Sequence, residues 1–173
     1  MTRFLLHPRL YFFAVFLACG ALILFGLYLE HTKGLEPCPM CITQRVLFIA
    51  VGAVALVAAL HGAKTGAARI AYGLIIAVLA LTGAGVAARQ SWIQHFPPPI
   101  QECGADFYFL FDTTPLARIV PEIFSGTGDC SKREWVFLGL SIAEWALVCF
   151  TVIALVTLWR TFFAKPRRRL QMA

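Results

Sequence analysis

Two cysteines separated by two residues, Cys38 and Cys41, are the side chains of this sequence best suited to chemistry. A C-x-x-C pair can form a disulfide bond and exchange it with other thiols, because a thiolate attacks a disulfide sulfur. Pro37 and Pro39 flank Cys38, and proline suits the first turn of a helix but not its interior. We therefore predict that a helix begins near Met40 and that Cys41 lies at its N-terminus.

Arg45 follows Cys41 by four residues, which places both side chains on one face of the predicted helix. The unpaired N–H groups and the macrodipole of a helix N-terminus favour a negative charge, and a guanidinium adds to that effect. Both features favour the thiolate of Cys41, which is the reactive form of a cysteine. The pattern indicates a redox site if the two cysteines face an oxidising compartment.

The elements that must position this pair are predicted to be membrane-spanning helices. Hydrophobic residues make up 60% of the 173 residues, and the mean hydropathy is +0.76. A soluble domain of this size is less apolar. Four runs reach the roughly 20 residues that a bilayer core requires; they are about 10–29, 42–62, 70–88 and 143–163. We predict an all-α polytopic membrane protein, a four-transmembrane-helix bundle that forms a single integral membrane domain over residues 1–173.

The charged residues predict the orientation of these spans. If the spans alternate in direction, one side carries a cluster of basic residues and neither Asp nor Glu. The cluster comprises Arg3, Arg9, Lys64, Arg69, Lys165, Arg167, Arg168 and Arg169. The positive-inside rule then places both termini in the cytoplasm. The net charge of +6 is interpreted as a topology signal and a lipid contact, and nucleic-acid binding is not expected.

Two loops are predicted on the opposite, periplasmic side, at about 30–41 and 89–142. The first contains the C-x-x-C pair, and the second contains Cys103 and Cys130. Apolar residues at helical spacing from Leu116 to Phe124 predict a short surface helix in this second periplasmic loop.

Four cysteines on one side of the membrane permit three pairings. Adjacency favours a Cys38–Cys41 pair, which leaves Cys103 with Cys130. Two other interpretations remain open at this point, a pair of structural disulfides and a four-thiolate zinc site. Zinc ribbons usually carry two C-x-x-C knuckles, whereas this chain has one, so no metal is expected.

Three further residues within the apolar runs are interpreted as structural. Cys19 and Cys149 lie inside predicted spans, where a cysteine behaves as a small hydrophobic residue. Glu144 lies at the start of the fourth span, close enough to the interface to reach water, so we favour a structural role over a functional one.

Two segments resemble the disulfide bond formation protein B (DsbB) family. Residues 36–46, EPCPMCITQRV, are similar to that family's first cysteine motif. Gly128-Asp129-Cys130, followed by WVFLG at 135–139, is similar to its second. The resemblance covers essentially the whole chain, with the same four-span plan and the same two cysteine-bearing loops.

The resemblance implies that the protein re-oxidises a periplasmic, thioredoxin-fold dithiol oxidase (DsbA-like) and passes the electrons to membrane quinone, either ubiquinone or menaquinone. The partner would attack the Cys103–Cys130 disulfide at Cys103, and Cys130 would then exchange with Cys38. Cys41 would face the quinone as a thiolate, and Arg45 would favour that thiolate and the charge that develops on the reduced quinone. The implied location is the bacterial inner membrane.

Two other functions remain open from the sequence. One is a vitamin K epoxide reductase-like oxidoreductase, although that class would favour a C-x-x-C pair late in the chain. The other is a disulfide-stapled membrane scaffold or metal-binding protein without redox turnover. Loss of quinone reduction on replacing Cys41 would distinguish an oxidase from such a scaffold.

Overall fold

The computed structural model of the protein describes residues 8–34, 38–62, 65–97 and 135–163. These residues form four long helices and a small antiparallel hairpin. The helices are α1 (Pro8–Lys33), α2 (Pro39–His61), α3 (Gly66–His95) and α4 (Ile142–Phe163). The hairpin strands are β1 (Val136–Phe137) and β2 (Leu140–Ser141), with Val136 paired to Ser141 and Phe137 to Leu140.

Each of the four helices found in the described residues is long and apolar enough to cross a membrane. The most apolar window of each has a mean hydropathy between 2.0 and 2.5. Large apolar side chains also point away from the bundle on every helix; examples are Leu24, Leu60, Val78 and Leu155. Lipid can solvate such a surface, whereas water would not. The predicted all-α, four-transmembrane-helix architecture is confirmed.

Local sequence explains where α2 and α3 begin and end. Pro39 occupies the first turn of α2, and Gly62 ends that helix with a φ of 78°, in the left-handed region that glycine adopts without strain. The Gly62 N–H donates to the Ala58 carbonyl at 3.0 Å. Thr65 caps α3, since its hydroxyl accepts a hydrogen bond from the Ala68 N–H at 3.2 Å.

The third helix is longer than the sequence predicts. The apolar run was expected to end at residue 88 and a loop to begin at Arg89, but α3 continues through His95. Polar residues lower the hydropathy of this last part, yet Gln90 and Ile93 are buried. The helix continues because these side chains pack inside the bundle. The membrane boundary predicted at residue 88 stays a prediction, since a helix can extend beyond the bilayer.

A close crossing of α3 and α4 organises the core. A Cβ atom at Gly83 would lie 2.5 Å from Cε1 of Phe150, so glycine permits this ring to approach the α3 backbone. The Phe150 ring is fully buried and stacks on Phe48 of α2, with 3.8 Å between ring centroids. One aromatic stack thereby joins three helices.

The first helix packs on α2 and also reaches α4. The Tyr11 hydroxyl lies 2.6 Å from Oγ1 of Thr157. Cys19 of α1 is buried in the main core, and Cys149 of α4 packs against that core. The interpretation of these two cysteines as packing residues is confirmed.

The bundle has two chemically different ends. We call the end that contains Arg9, Arg69 and Arg160 the basic end, and the end that contains Cys38 and Cys41 the cysteine end. Three predicted features of the second loop, Cys103, Cys130 and the surface helix at 116–124, lie outside the described residues.

Candidate functional site

The C-x-x-C pair lies at the first turn of α2. Cys38 is the N-cap residue, with extended backbone angles (φ −69°, ψ 162°), and its sulfur accepts a hydrogen bond from the Cys41 N–H at 3.4 Å. The Cys38 carbonyl accepts from the Ile42 N–H at 3.0 Å. The predicted helix start near Met40 is confirmed. Cys41 therefore lies where unpaired helix N–H groups favour a negative charge.

The two sulfurs are close enough for redox chemistry. Sγ of Cys38 and Sγ of Cys41 lie 3.0 Å apart, whereas a disulfide bond measures about 2.05 Å. Cys38 is buried and Cys41 is half-buried. Both pack in a small apolar cluster with Met40, Val86 and Ile93. Small side-chain rotations can close this pair, and the exposed part of Cys41 remains open to a reactant.

A buried glutamine on α3 contacts both sulfurs. Nε2 of Gln90 lies 3.1 Å from Sγ of Cys41 and 3.4 Å from Sγ of Cys38. The amide oxygen of Gln90 accepts a hydrogen bond from Nε2 of Gln44 at 2.6 Å. Gln44 thereby fixes which end of the Gln90 amide faces the cysteines. An amide N–H favours a thiolate over a thiol, because hydrogen bonds to a charged acceptor are the stronger ones.

Arg45 forms an ion pair that its position in the sequence did not predict. Its Nη1 donates to Oε2 of Glu30, at the end of α1, at 2.6 Å. The guanidinium also approaches Gly26, where a Cβ atom would lie 3.8 Å from Nε of Arg45. Both partners are partly exposed. The Glu30 carboxylate therefore compensates part of the positive charge that Arg45 was expected to exert on Cys41.

The start of α4 closes the cysteine end of the bundle. Glu144 accepts a hydrogen bond from the Ser141 N–H at 2.6 Å, and the Ser141 hydroxyl accepts from the Glu144 N–H at 3.4 Å. This reciprocal arrangement is a capping box. The Ser141 hydroxyl also donates to Oε1 of Gln94 on α3 at 2.6 Å. The structural role predicted for Glu144 is confirmed.

The hairpin continues this closure towards α1. Nε1 of Trp145 donates to the Phe137 carbonyl at 3.1 Å, and Trp135 packs edge-on against Phe25, with 5.7 Å between ring centroids. The segment that leads into α4 is thus anchored to α1 and to α4 itself.

The structure describes three of the five predicted site residues: it brings the sulfurs of Cys38 and Cys41 together and pairs Arg45 with Glu30. The second cysteine pair lies outside the described residues. Sequence reasoning did not assign Glu30, Gln44 or Gln90. These residues could have been found from the sequence, because each is a polar residue within or next to an apolar run. A polar side chain is costly in a membrane unless it has a partner. In the described residues, no group of three or more His, Cys, Asp or Glu side chains could hold a metal ion.

A family model described as disulfide bond formation protein DsbB matches residues 8–160. The chain belongs to the DsbB family. It is 53% identical over 154 residues to disulfide bond formation protein B of Aromatoleum aromaticum, which covers 89% of this chain and 92% of that protein. It is 50% identical over 161 residues to the protein of that name from Azoarcus sp., with 93% and 96% covered. It is 44% identical over 143 residues to that of Acinetobacter baumannii, with 82% and 84% covered.

Membership of the DsbB family establishes the general activity. The chain is a multi-pass membrane protein and a disulfide-forming oxidoreductase. The vitamin K epoxide reductase-like alternative is set aside, because the family match covers most of the chain. The paired sulfurs at the start of α2 are the part of the described structure that is chemically suited to this activity.

Proposed function

We propose that the protein re-oxidises a soluble DsbA-like, thioredoxin-fold dithiol oxidase and transfers the electrons to membrane quinone. The observation that carries the proposal is the pair of sulfurs 3.0 Å apart at the helix N-terminus, both within hydrogen-bond distance of Nε2 of Gln90. A structural disulfide needs no donor, since its sulfurs carry no charge. A buried amide N–H that a second amide holds in place can stabilise a thiolate while it forms and reacts.

The exchange steps follow from the chemistry of thiols. The partner's thiolate attacks the Cys103–Cys130 disulfide at Cys103, and the partner's second thiolate then displaces Cys103, so the partner leaves oxidised. Before that release, the Cys130 thiolate can attack the Cys38–Cys41 disulfide at Cys38, which releases Cys41 as a thiolate. The Cys103 thiolate left by the departing partner then attacks Cys130 in the Cys38–Cys130 mixed disulfide, which re-forms the Cys103–Cys130 disulfide and frees Cys38. Two electrons have thereby reached the C-x-x-C pair. The helix N-terminus and Gln90 favour the thiolate of Cys41.

The residues around Cys41 fit a quinone. Arg45 offers N–H donors that suit carbonyl oxygens, and it lies beside Val46 and Ile49, whose side chains point outward from α2. Such a surface suits an isoprenoid tail in lipid. A bound quinone would supply the oxidant, an acceptor of two electrons and two protons, with which the Cys38–Cys41 disulfide can re-form. Cys41 and Arg45 would hold the quinone ring, and Glu30 would orient the guanidinium.

The same proposal places the protein in the bacterial inner membrane, with both termini in the cytoplasm and the cysteine end towards the periplasm. It is supported by the excess of Lys and Arg at the basic end, in line with the positive-inside rule. The periplasm is oxidising, as disulfide formation requires.

Replacement of Cys41 by serine tests the proposal. We expect purified Cys41→Ser protein to lose reduction of a soluble quinone analogue by a reduced thioredoxin-fold partner, since the sulfur that faces the quinone is gone.

Arg45→Ala should lower quinone-linked turnover at least about tenfold, because roughly one charge-assisted hydrogen bond is lost. The same substitution should affect exchange with the partner less. Stopped-flow absorbance of the quinone and thiol trapping measure the two steps separately.

Cys149→Ser is the matched control, because Cys149 packs against the core on α4 and takes no part in the proposed relay. It should retain both steps. Quinone reduction that survives Cys41→Ser would contradict the mechanism. A folded Cys41→Ser protein that still binds its partner, alongside a wild-type protein that reduces no quinone, would support a scaffold instead.

A further inference from the structure

Arg160, near the end of α4, carries a positive charge that no carboxylate balances in the described part of the chain. Its side chain is only 5% exposed, and its Nη1 atom has no hydrogen-bond partner there. The guanidinium carbon lies 4.4 Å from the centroid of the Tyr11 ring. An aromatic face stabilises a cation weakly compared with an anion. A buried charge is costly unless it is paired and hydrogen-bonded.

A second cation lies close to the first. Arg69, in the first turn of α3, is one helical turn before Gly73, where an added Cβ atom would lie 3.2 Å from Cβ of Thr161, the residue that follows Arg160. The Nε atom of Arg69 is also buried without a hydrogen-bond partner in the described residues. Two positive charges in a medium of low dielectric constant repel each other. Together they attract an anion more strongly than either would alone.

In the described part of the chain, no acidic side chain lies at the basic end. All nine Asp and Glu residues lie between Glu30 and Glu144, and both of these lie at the cysteine end. Residues 1–29, 37–101 and 145–173 contain neither Asp nor Glu. The segment 164–173, which follows α4, adds four further basic residues. Since the described residues supply no carboxylate at this end, an anion from outside the chain is a suitable partner for the two guanidinium groups.

We propose that Arg69 and Arg160 bind the phosphate group of an anionic phospholipid at the basic end, between α1, α3 and α4. Guanidinium groups recognise phosphate through paired N–H donors. A lipid is favoured over inorganic phosphate because Phe162 and Phe163, directly after this site on α4, are exposed apolar side chains that suit acyl chains. Basic sites between helix ends are suited to such headgroups. This site is independent of the thiol chemistry at the opposite end.

Thermal unfolding of the purified full-length chain in a neutral detergent tests the proposal, with tryptophan fluorescence as the signal. Phosphatidylglycerol, phosphatidylcholine and inorganic phosphate are added at equal concentration and matched ionic strength. Near saturation, phosphatidylglycerol should raise the Tm by about 5 °C, while the other two raise it by less than about 1 °C. An equal rise with phosphatidylcholine would contradict charge recognition, and an equal rise with inorganic phosphate would overturn the assignment to lipid.

Paired variants then locate the site. Arg69→Gln/Arg160→Gln should abolish the rise caused by phosphatidylglycerol, whereas Arg167→Gln/Arg168→Gln, which removes two charges from the segment after α4, should retain it. Arg69→Gln alone keeps the buried Arg160 in place and should weaken phosphatidylglycerol binding about tenfold. Equal loss in the Arg167/Arg168 variant, or an undiminished affinity in Arg69→Gln, would overturn the proposal.

Discussion

Gln90 shows how one buried polar residue can serve two cysteines. Its amide nitrogen is within hydrogen-bond distance of both sulfurs, and its oxygen is held by Gln44. Without Gln44, the amide could rotate and present its oxygen to the cysteines, which would repel a thiolate. The pair therefore acts as a fixed donor at the point where negative charge forms during disulfide exchange.

Replacement of Gln90 by leucine should slow the reaction of Cys41 with iodoacetamide at pH 7 by about tenfold. The physical reason is the loss of one hydrogen bond to a charged sulfur, worth on the order of 1.5 kcal/mol. Mass spectrometry of the alkylated protein measures the rate at Cys41.

Thr43→Val is a suitable control for this change. Its hydroxyl donates to the Pro39 carbonyl at 2.9 Å, in the same turn of α2 as the cysteines. The rate should remain within about twofold of wild type, since the amide donor is intact. An unchanged rate in Gln90→Leu would show that the amide does not stabilise the thiolate.

At the scale of secondary-structure elements, the beginnings of α2 and α4 are each fixed by their own first residues. Cys38 caps α2 with its sulfur, so the reactive residue is also part of the helix start. Ser141 and Glu144 cap α4 reciprocally. The hydroxyl of Ser141 also reaches Gln94, so this cap joins α4 to the last turn of α3 beside the cysteine pair.

Ser141→Ala should lower the Tm by about 3 °C. The substitution removes a helix cap worth about 1 kcal/mol, and such a loss shifts the Tm of a chain of this size by a few degrees. Circular dichroism at 222 nm during heating measures it.

Ser91→Ala is the matched control, because the buried Ser91 hydroxyl has no hydrogen-bond partner in the described residues. Its removal should leave the Tm unchanged or raise it slightly, since no bond is lost. A fall as large as that of Ser141→Ala would show that loss of the hydroxyl group itself, rather than of the cap, lowers stability.

At the scale of the whole molecule, the helices are held together by close van der Waals packing, because the hydrophobic effect contributes little to helix association in lipid. Gly83 lets the Phe150 ring reach the α3 backbone, and that ring in turn stacks on Phe48. The position of α3 relative to α2 depends on this stack. The same relative position decides whether Gln90 reaches the sulfurs.

Gly83→Ala should therefore lower the Tm by about 5 °C, since an added methyl group in a packed core costs roughly 1–3 kcal/mol. Gly85→Ala, two residues away, should have little effect, because a Cβ atom there meets no atom within 4 Å. Phe150→Leu in the Gly83→Ala background should recover part of the loss. Equal Tm values for the two alanine variants would contradict the close crossing.

The four long helices of the described residues, their approximate positions and the position of Cys41 at a helix start follow from the sequence alone. These properties are local, since a run of apolar residues, a proline in the first turn and a glycine at the end act within a few residues. The continuation of α3 beyond the apolar run did not follow from the sequence, because hydropathy falls at Arg89, while the helix is held by burial of Gln90 and Ile93.

The partners of the reactive residues were decided by the tertiary structure. Gln90 is 49 residues from Cys41 along the chain, and Glu30 is 15 residues from Arg45. Arg160 meets the Tyr11 ring from the opposite end of the sequence. No short-range pattern encodes such contacts, because they depend on which helix faces which in the bundle. The sequence determines which residues can react, and helix packing determines which donors and charges surround them.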